Sequence, residues 1–158
     1  MPRFVVQHHV LGESEEHWDL MFEAGDVLWT WSLPCPPDAP DSAPEAAPPA
    51  VEAPPAGRDG ADGAADQARL PAVAWQLADH RLLYLEYEGE IEGGRGRVAI
   101  HDRGDFQWVG PAPDAPLHTI SRLEFRLDGL KAQGTFRLSR IPHEGKDLWR
   151  LSRMKGPA

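Results

Sequence analysis

The chain has 158 residues, 41% of them hydrophobic, with six tryptophans and a formal charge of −9. That is one domain with a sizeable core, not a chain too polar to fold. One cysteine, Cys35, excludes an internal disulfide, and no apolar run approaches the about 18 residues a membrane span needs.

The negative charge is unevenly placed. Residues 34–69 carry seven acids against Arg58 and Arg69, whereas residues 119–158 carry nine Lys or Arg against four acids. A basic C-terminal third suits a polyanionic partner, and a mixed solvated surface accounts for it equally well. No charged n-region followed by an apolar stretch opens the chain, so the expected location is cytoplasmic.

In chain order, period-two alternation predicts strands over 4–9 ("FVVQHH"), 16–23 and 27–33 ("VLWTWSL"), with Gly25 and Asp26 in a turn. Residues 34–69 then hold nine of the sixteen prolines, many alanines and no aromatic residue. Such a stretch buries too little apolar surface to offset its ordering entropy, so it is expected to be a disordered acidic insertion within the single domain 1–158. Beyond it, strands are expected over 73–79, 82–88 and "RVAIHDRG", then within "HTISRLEFRLDG", "AQGTFRLSR" and "LWRLSR". No long segment carries a 3.6-residue period. The expected fold class is all-β with few short helical turns, a small closed or nearly closed β-barrel with an active-site cleft.

Side chains at i and i+2 of a strand share a face, so His17 and Asp19 project together while Trp18, Leu20 and Phe22 turn away. In the strand before, Gln7 and His9 share a face with Val5, and His8 points away with Val6. If the two strands pair, His9 converges on His17 and Asp19. Two imidazoles and a carboxylate form a candidate divalent-metal triad with open coordination positions. The residues alone leave a second reading open, a polar hairpin with surplus histidines. His80 by itself reads as a polar turn residue, and Tyr84 and Tyr87 as packing aromatics. "GEIEGGRGR" lacks the Lys-Ser/Thr ending of a phosphate loop, and no nucleophile elbow is present.

Taken in order, "FVVQHH", "HWDLMFE", "VLWTWSLP", "DHRLLYLEYEGEI" and "AIHDRGDF" resemble the 3′-phosphoesterase domain of bacterial DNA ligase D, here in stand-alone form. That family runs Q-K-H, H-Y-D-x-R-L-E, S-W-A-V-P-K-G, E-D-H-P-x-x-Y and W-D-R-G. The resemblance implies a β-barrel with a manganese site that trims a terminal ribonucleoside from a primer 3′ end and then removes the 3′-phosphate, in double-strand break repair. Residue by residue, it implies His9, His17 and Asp19 as metal ligands, and His80 and Tyr84 as catalytic groups on the phosphate side. Gln7, matching the glutamine of Q-K-H, is expected on the substrate side as an orienter of the site, Thr30 keeps the hydroxyl of the family's serine there, and Arg95, Arg97 or Arg103 would take over the phosphate. Met21, Cys35 and Ala78 stand where the family has arginine, lysine and glutamate, so the anion clamp is depleted. Partners implied are nucleic-acid 3′ ends and a separate ligase or polymerase, with no membrane and a monomeric chain. Arg122, Arg126, Arg137 and Arg140 are expected to track the duplex backbone. Two alternatives accompany this reading: a non-catalytic metal- and end-binding module, and a barrel enzyme of another class such as an oxygenase.

Overall fold

The computed structural model describes residues 2–12, 15–40, 70–142 and 147–154. Among the described residues there are nine strands: β1 (Arg3–Val10), β2 (Glu16–Ala24), β3 (Val27–Leu33), β4 (Ala72–Arg81), β5 (Gly89–Glu90), β6 (Arg97–Trp108), β7 (Arg122–Gly129), β8 (Gln133–Arg140) and β9 (Leu148–Arg153). They pair in the order β1-β2-β3-β4-β9-β8-β7-β6, and β6 returns to β1, so eight strands close a barrel. All pairings are antiparallel, and the two-residue β5 adds only to one end of β6. The remaining regular structure among the described residues is short 3₁₀ turns. The all-β closed barrel expected from the alternation is the fold that forms.

Alternation puts Phe4 and Val6 of β1, Leu20 and Phe22 of β2, and Trp31 and Leu33 of β3 inside. Phe106, Phe125, Phe136 and Trp149 meet them from the far wall. The Phe22 ring packs edge-on against Trp31, Phe106 and Phe125, with centroids 5.8, 5.0 and 4.7 Å away. Edge-to-face geometry is the arrangement favoured by the rings' charge distribution, and each such pair adds about 0.5–1.5 kcal/mol beyond area burial. Gly104 of β6 lies so close to β7 that a Cβ would sit 2.4 Å from the Asp128 carbonyl oxygen, so only glycine fits.

Three expectations change here. Residues 82–88 do not form a strand: Leu82–Leu85 is a 3₁₀ turn. Leu82 and Leu85 pack down on the outer face of the barrel, against Val5, Met21 and Leu28, instead of extending the sheet. Second, residues 34–40, assigned above to the insertion, are packed: Cys35 and Ala39 are buried in the main core together with Leu70. Arg153 donates to the carbonyls of Pro37 and Ala39, and the His101 ring pairs with Asp38 at 2.8 Å. Residues 41–69 lie outside the described residues. Third, the basic C-terminal stretch is mostly committed internally. Arg140 donates to the Leu117 and Ile120 carbonyls and lies over the Trp149 ring, while Arg137 pairs with Glu124 at 3.0 Å. Arg122 also approaches Glu124, at 3.9 Å, leaving Arg126 as the exposed cation of the four without such a pair among the described residues.

One carboxylate ties the β7–β8 turn to β6. Asp102 is buried and accepts four backbone N–H groups, from Arg103, Leu130, Lys131 and Ala132, at 2.7–3.1 Å. Asp102→Ala strands those donors, so urea unfolding is expected to show a loss of about 2–4 kcal/mol, given about 1–3 kcal/mol per buried unsatisfied group. Burial, aided by the Asp38 charge, pushes the Cys35 thiol up to about 12 from 9.0. The unfolded chain therefore releases this proton first, and stability falls as pH rises from about 9 towards about 12. Cys35→Ala is expected to flatten that part of the stability curve, and native Cys35 to resist thiol reagents at pH 8, where the unfolded chain reacts.

Candidate metal centre

The register of β1 against β2 sets His9 opposite His17 and Gln7 opposite Asp19. These four side chains share one face with Val5 and Met21, the outer face of the barrel, while Phe4, Val6, Leu20 and Phe22 fill the inside. His9, His17 and Asp19 each offer a ligand atom, and these atoms lie within 4.8 Å of one another. His17 Nδ1 is 2.9 Å from Asp19 Oδ1, and His9 Nδ1 is 3.8 Å from Asp19 Oδ2. The two imidazoles meet edge-on with centroids 4.7 Å apart. The trio expected from spacing is thus assembled in space.

The tautomer of His9 follows from its neighbour. His9 Nε2 lies 2.7 Å from the Arg95 carbonyl oxygen, which can only accept, so Nε2 carries a proton and Nδ1 is the ring nitrogen on the Asp19 side that could bind a metal. A backbone carbonyl orienting the outer ring nitrogen is the usual support of a metal-binding histidine. The His17 pKa is raised above its ordinary value, chiefly because Asp19 accepts its ring N–H, with burial acting the other way. Two imidazoles and a carboxylate, close together and partly shielded, fit a divalent cation with open coordination positions. His8 takes no part: it stacks on Trp18 at 4.6 Å and pairs with Glu16.

Gln7 is buried, and its amide donates to the carbonyls of Tyr84 (3.0 Å) and Tyr87 (2.8 Å). It therefore holds the 82–88 segment beside Asp19 instead of facing substrate. Beneath that segment Val5, Met21, Leu28 and Leu85 form a small second core, joined by Leu82, Tyr84 and Ile100. Met21 is 1% exposed there. The missing arginine at this position is thus an apolar anchor for the segment that carries Tyr84.

His80 and Tyr84 are brought together, their rings edge-on at 5.7 Å, and Tyr87 continues the chain of rings at the same spacing. His80 Nδ1 donates to the Ala78 carbonyl at 2.9 Å, which leaves Nε2 for a ligand. Ala78 contributes this carbonyl, its own side chain being exposed. The other expected contacts do not converge. Thr30 is fully buried and donates to the Leu28 carbonyl, so its hydroxyl is spent. Cys35 lies in the barrel core, away from any anion site. Arg97 lines a cavity of about 670 Å³ with Val10, Leu11 and the 93–96 glycine loop, next to His9. Arg103 is opposite Val5 at the far end of β1 and lines a different hollow, with Arg3 and Glu86. The Arg95 carbonyl and the apolar seat under Tyr84 were not evident in the sequence. Only the alternation of β1 and β2, which sends Val5 and Met21 outward, hinted at the seat.

Fold and site together define a class first, a closed antiparallel barrel carrying a histidine and aspartate cluster able to hold a metal on its outer face. The family model of the DNA Ligase D 3′-phosphoesterase domain matches residues 7–140, and the chain belongs to that family. It is 29% identical over 159 residues to "Multifunctional non-homologous end joining protein LigD" of Pseudomonas aeruginosa. That alignment takes in 97% of this chain but 15% of the relative, so the chain spans a small part of that protein's length. No helix among the described residues is long and apolar enough to cross a membrane.

Asp19→Ala removes the carboxylate common to both histidine contacts. Calorimetric titration with Mn²⁺ is expected to show one site in the unaltered protein and at least about hundredfold weaker binding in Asp19→Ala, beyond the 10–100-fold typical of outer-shell losses.

Proposed function

We propose that this chain is a manganese-dependent 3′-end-processing phosphoesterase. On this reading it removes a 3′-terminal ribonucleoside and then the 3′-phosphate from DNA primer ends during end joining. It would act in the cytoplasm as a monomer beside a separate ligase and polymerase. The observation that carries the reading is the convergence of His9, His17 and Asp19 on one outer face, in a chain of the DNA ligase D 3′-phosphoesterase family.

A divalent cation held by the trio supplies Lewis acidity towards a phosphoryl oxygen and makes a bound water more acidic. The rest falls to the chain's own groups. Asp19 Oδ2 and His9 Nδ1 lie 3.8 Å apart, so the donor set would be in place before substrate arrives. In removal of a 3′-phosphate, the water oxygen bonds to phosphorus and the P–O3′ bond breaks. The leaving O3′ takes up a proton. His80 Nε2 is left available by the Nδ1 contact to Ala78, and in the imidazolium form, with both ring nitrogens protonated, it can donate that proton or hydrogen-bond a phosphoryl oxygen. Tyr84, held between the rings of His80 and Tyr87, offers a hydroxyl to the same phosphate. Gln7 fixes the backbone that presents it.

The test is release of inorganic phosphate from a primer–template ending in a 3′-phosphate. With Mn²⁺ the unaltered protein is expected to turn over, EDTA to stop it, and His80→Ala to slow it by about a hundredfold, the lower end of general acid–base contributions. Manganese binding without phosphate release would contradict the enzymatic reading. Tight end binding without cleavage would assign the chain to end recognition instead.

A further inference from the structure

The outer face continues sideways from the metal centre along one cross-strand row. Asp19 of β2 is opposite Ser32 of β3, and Ser32 is opposite Trp75 of β4. Alternation sends all three outward, because their neighbours Leu20, Trp31 and Ala74 fill the core. Trp75 therefore stands two strand spacings, about 10 Å, from Asp19 on the same face. The residue between them is a small serine, which leaves the row open. Trp75 is 44% exposed, whereas Trp31 and Trp149 are fully buried. Its opposite residue on that face, Leu148, is buried, while nearly half of the indole stays open to solvent.

A cation lies beside it. In the β4–β9 pairing Trp75 is opposite Leu148 and Val73 opposite Arg150, which makes Arg150 the diagonal neighbour of Trp75. Arg150 also faces outward, since Trp149 and Leu151 on either side of it are core residues. Among the described residues no hydrogen bond or ion pair engages its guanidinium. This differs from Arg137 and Arg140, which are held by the protein's own acceptors.

We infer that Trp75 is a stacking platform for the base of the terminal nucleotide, with Arg150 contacting the phosphate backbone of the same strand. This rests on the reading above that the chain acts on nucleic-acid 3′ ends, and it assigns the residues that position the end. An exposed aromatic ring beside a cation is the arrangement by which single strands are held without regard to sequence, because every base has a π-face. The platform and the metal centre then grip one nucleotide at two points. The base lies on Trp75 while the 3′-phosphate reaches the trio across Ser32. Trp75 and Arg150 act by positioning and touch no reacting atom.

The experiment measures end binding separately from cleavage, by fluorescence anisotropy in EDTA with a labelled primer–template bearing a 3′-phosphate. Trp75→Ala is expected to weaken binding by about tenfold or more in protein still folded at the assay temperature, and Trp75→Phe to restore most of the loss. An abasic site at the terminal nucleotide should weaken binding of the unaltered protein by a similar factor and add nothing in Trp75→Ala. Arg150→Gln should lower the steepness of the salt dependence by about one ion. Unaltered affinity in Trp75→Ala, or abasic and Trp75 losses that multiply, would overturn the inference while leaving the end-processing reading in place. Failure of the unaltered protein to bind any 3′ end would overturn both.

Discussion

Strand β1 is hydrogen-bonded along both of its edges, to β2 and to β6, and this double pairing closes the barrel. Its consequence is strict. With no open edge, the strand cannot slip by one residue without turning Phe4 and Val6 out of the core and Val5, Gln7 and His9 into it. Burial of Phe4 and Val6 therefore fixes the direction of His9. The same holds in β2, where Leu20 and Phe22 in the core oblige His17 and Asp19 to point out. The candidate metal centre is thus a by-product of packing on the opposite side of the same two strands. A bulge opposite Val6 and Gln7 lets β6 keep pairing with β1 while Asp102 turns to the β7–β8 turn.

Along its length, the outer face changes character in steps. At one end Val5, Met21 and Leu28 are apolar and lie under the 3₁₀ turn Leu82–Leu85. In the middle, Gln7 uses both amide hydrogens on the backbone of that covering segment. At the other end stand His9, His17 and Asp19. An apolar seat and an amide clamp together hold Tyr84, and through it the contact with His80, beside the candidate ligand trio. Methionine at 21 is consistent with this design. It trades a possible cation for an anchor that fills space beneath the tyrosine.

How much of this was legible depends on the range of the interaction involved. The strands and the ligand trio follow from a period of two within β1 and β2, so local sequence carried them. Segment 82–88 looked like a strand because Leu, Tyr and Leu recur there. What decides its form is the apolar patch waiting on β1, β2 and β3, which no local pattern reveals. Cys35 and Thr30 were misplaced for a similar reason: alignment with a motif gives residue type and order, but not which side chains become covered. Cys35 is drawn into the core by the closing of the barrel end, and Thr30 is fully buried with its hydroxyl on the Leu28 carbonyl. The row from Asp19 through Ser32 to Trp75 depends on register across a bulged pairing between distant strands. Such register is set only when the whole barrel closes.

The central claim is that His9, His17 and Asp19 jointly ligate one divalent cation on the outer face. Pulsed electron paramagnetic resonance of the Mn²⁺-loaded protein, with histidine nitrogens isotopically labelled, reads this directly. The account predicts one bound manganese coupled to two histidine nitrogens, with one coupling lost in His9→Ala and the other in His17→Ala. A bound manganese without histidine nitrogen coupling, or couplings that survive both substitutions, would contradict it.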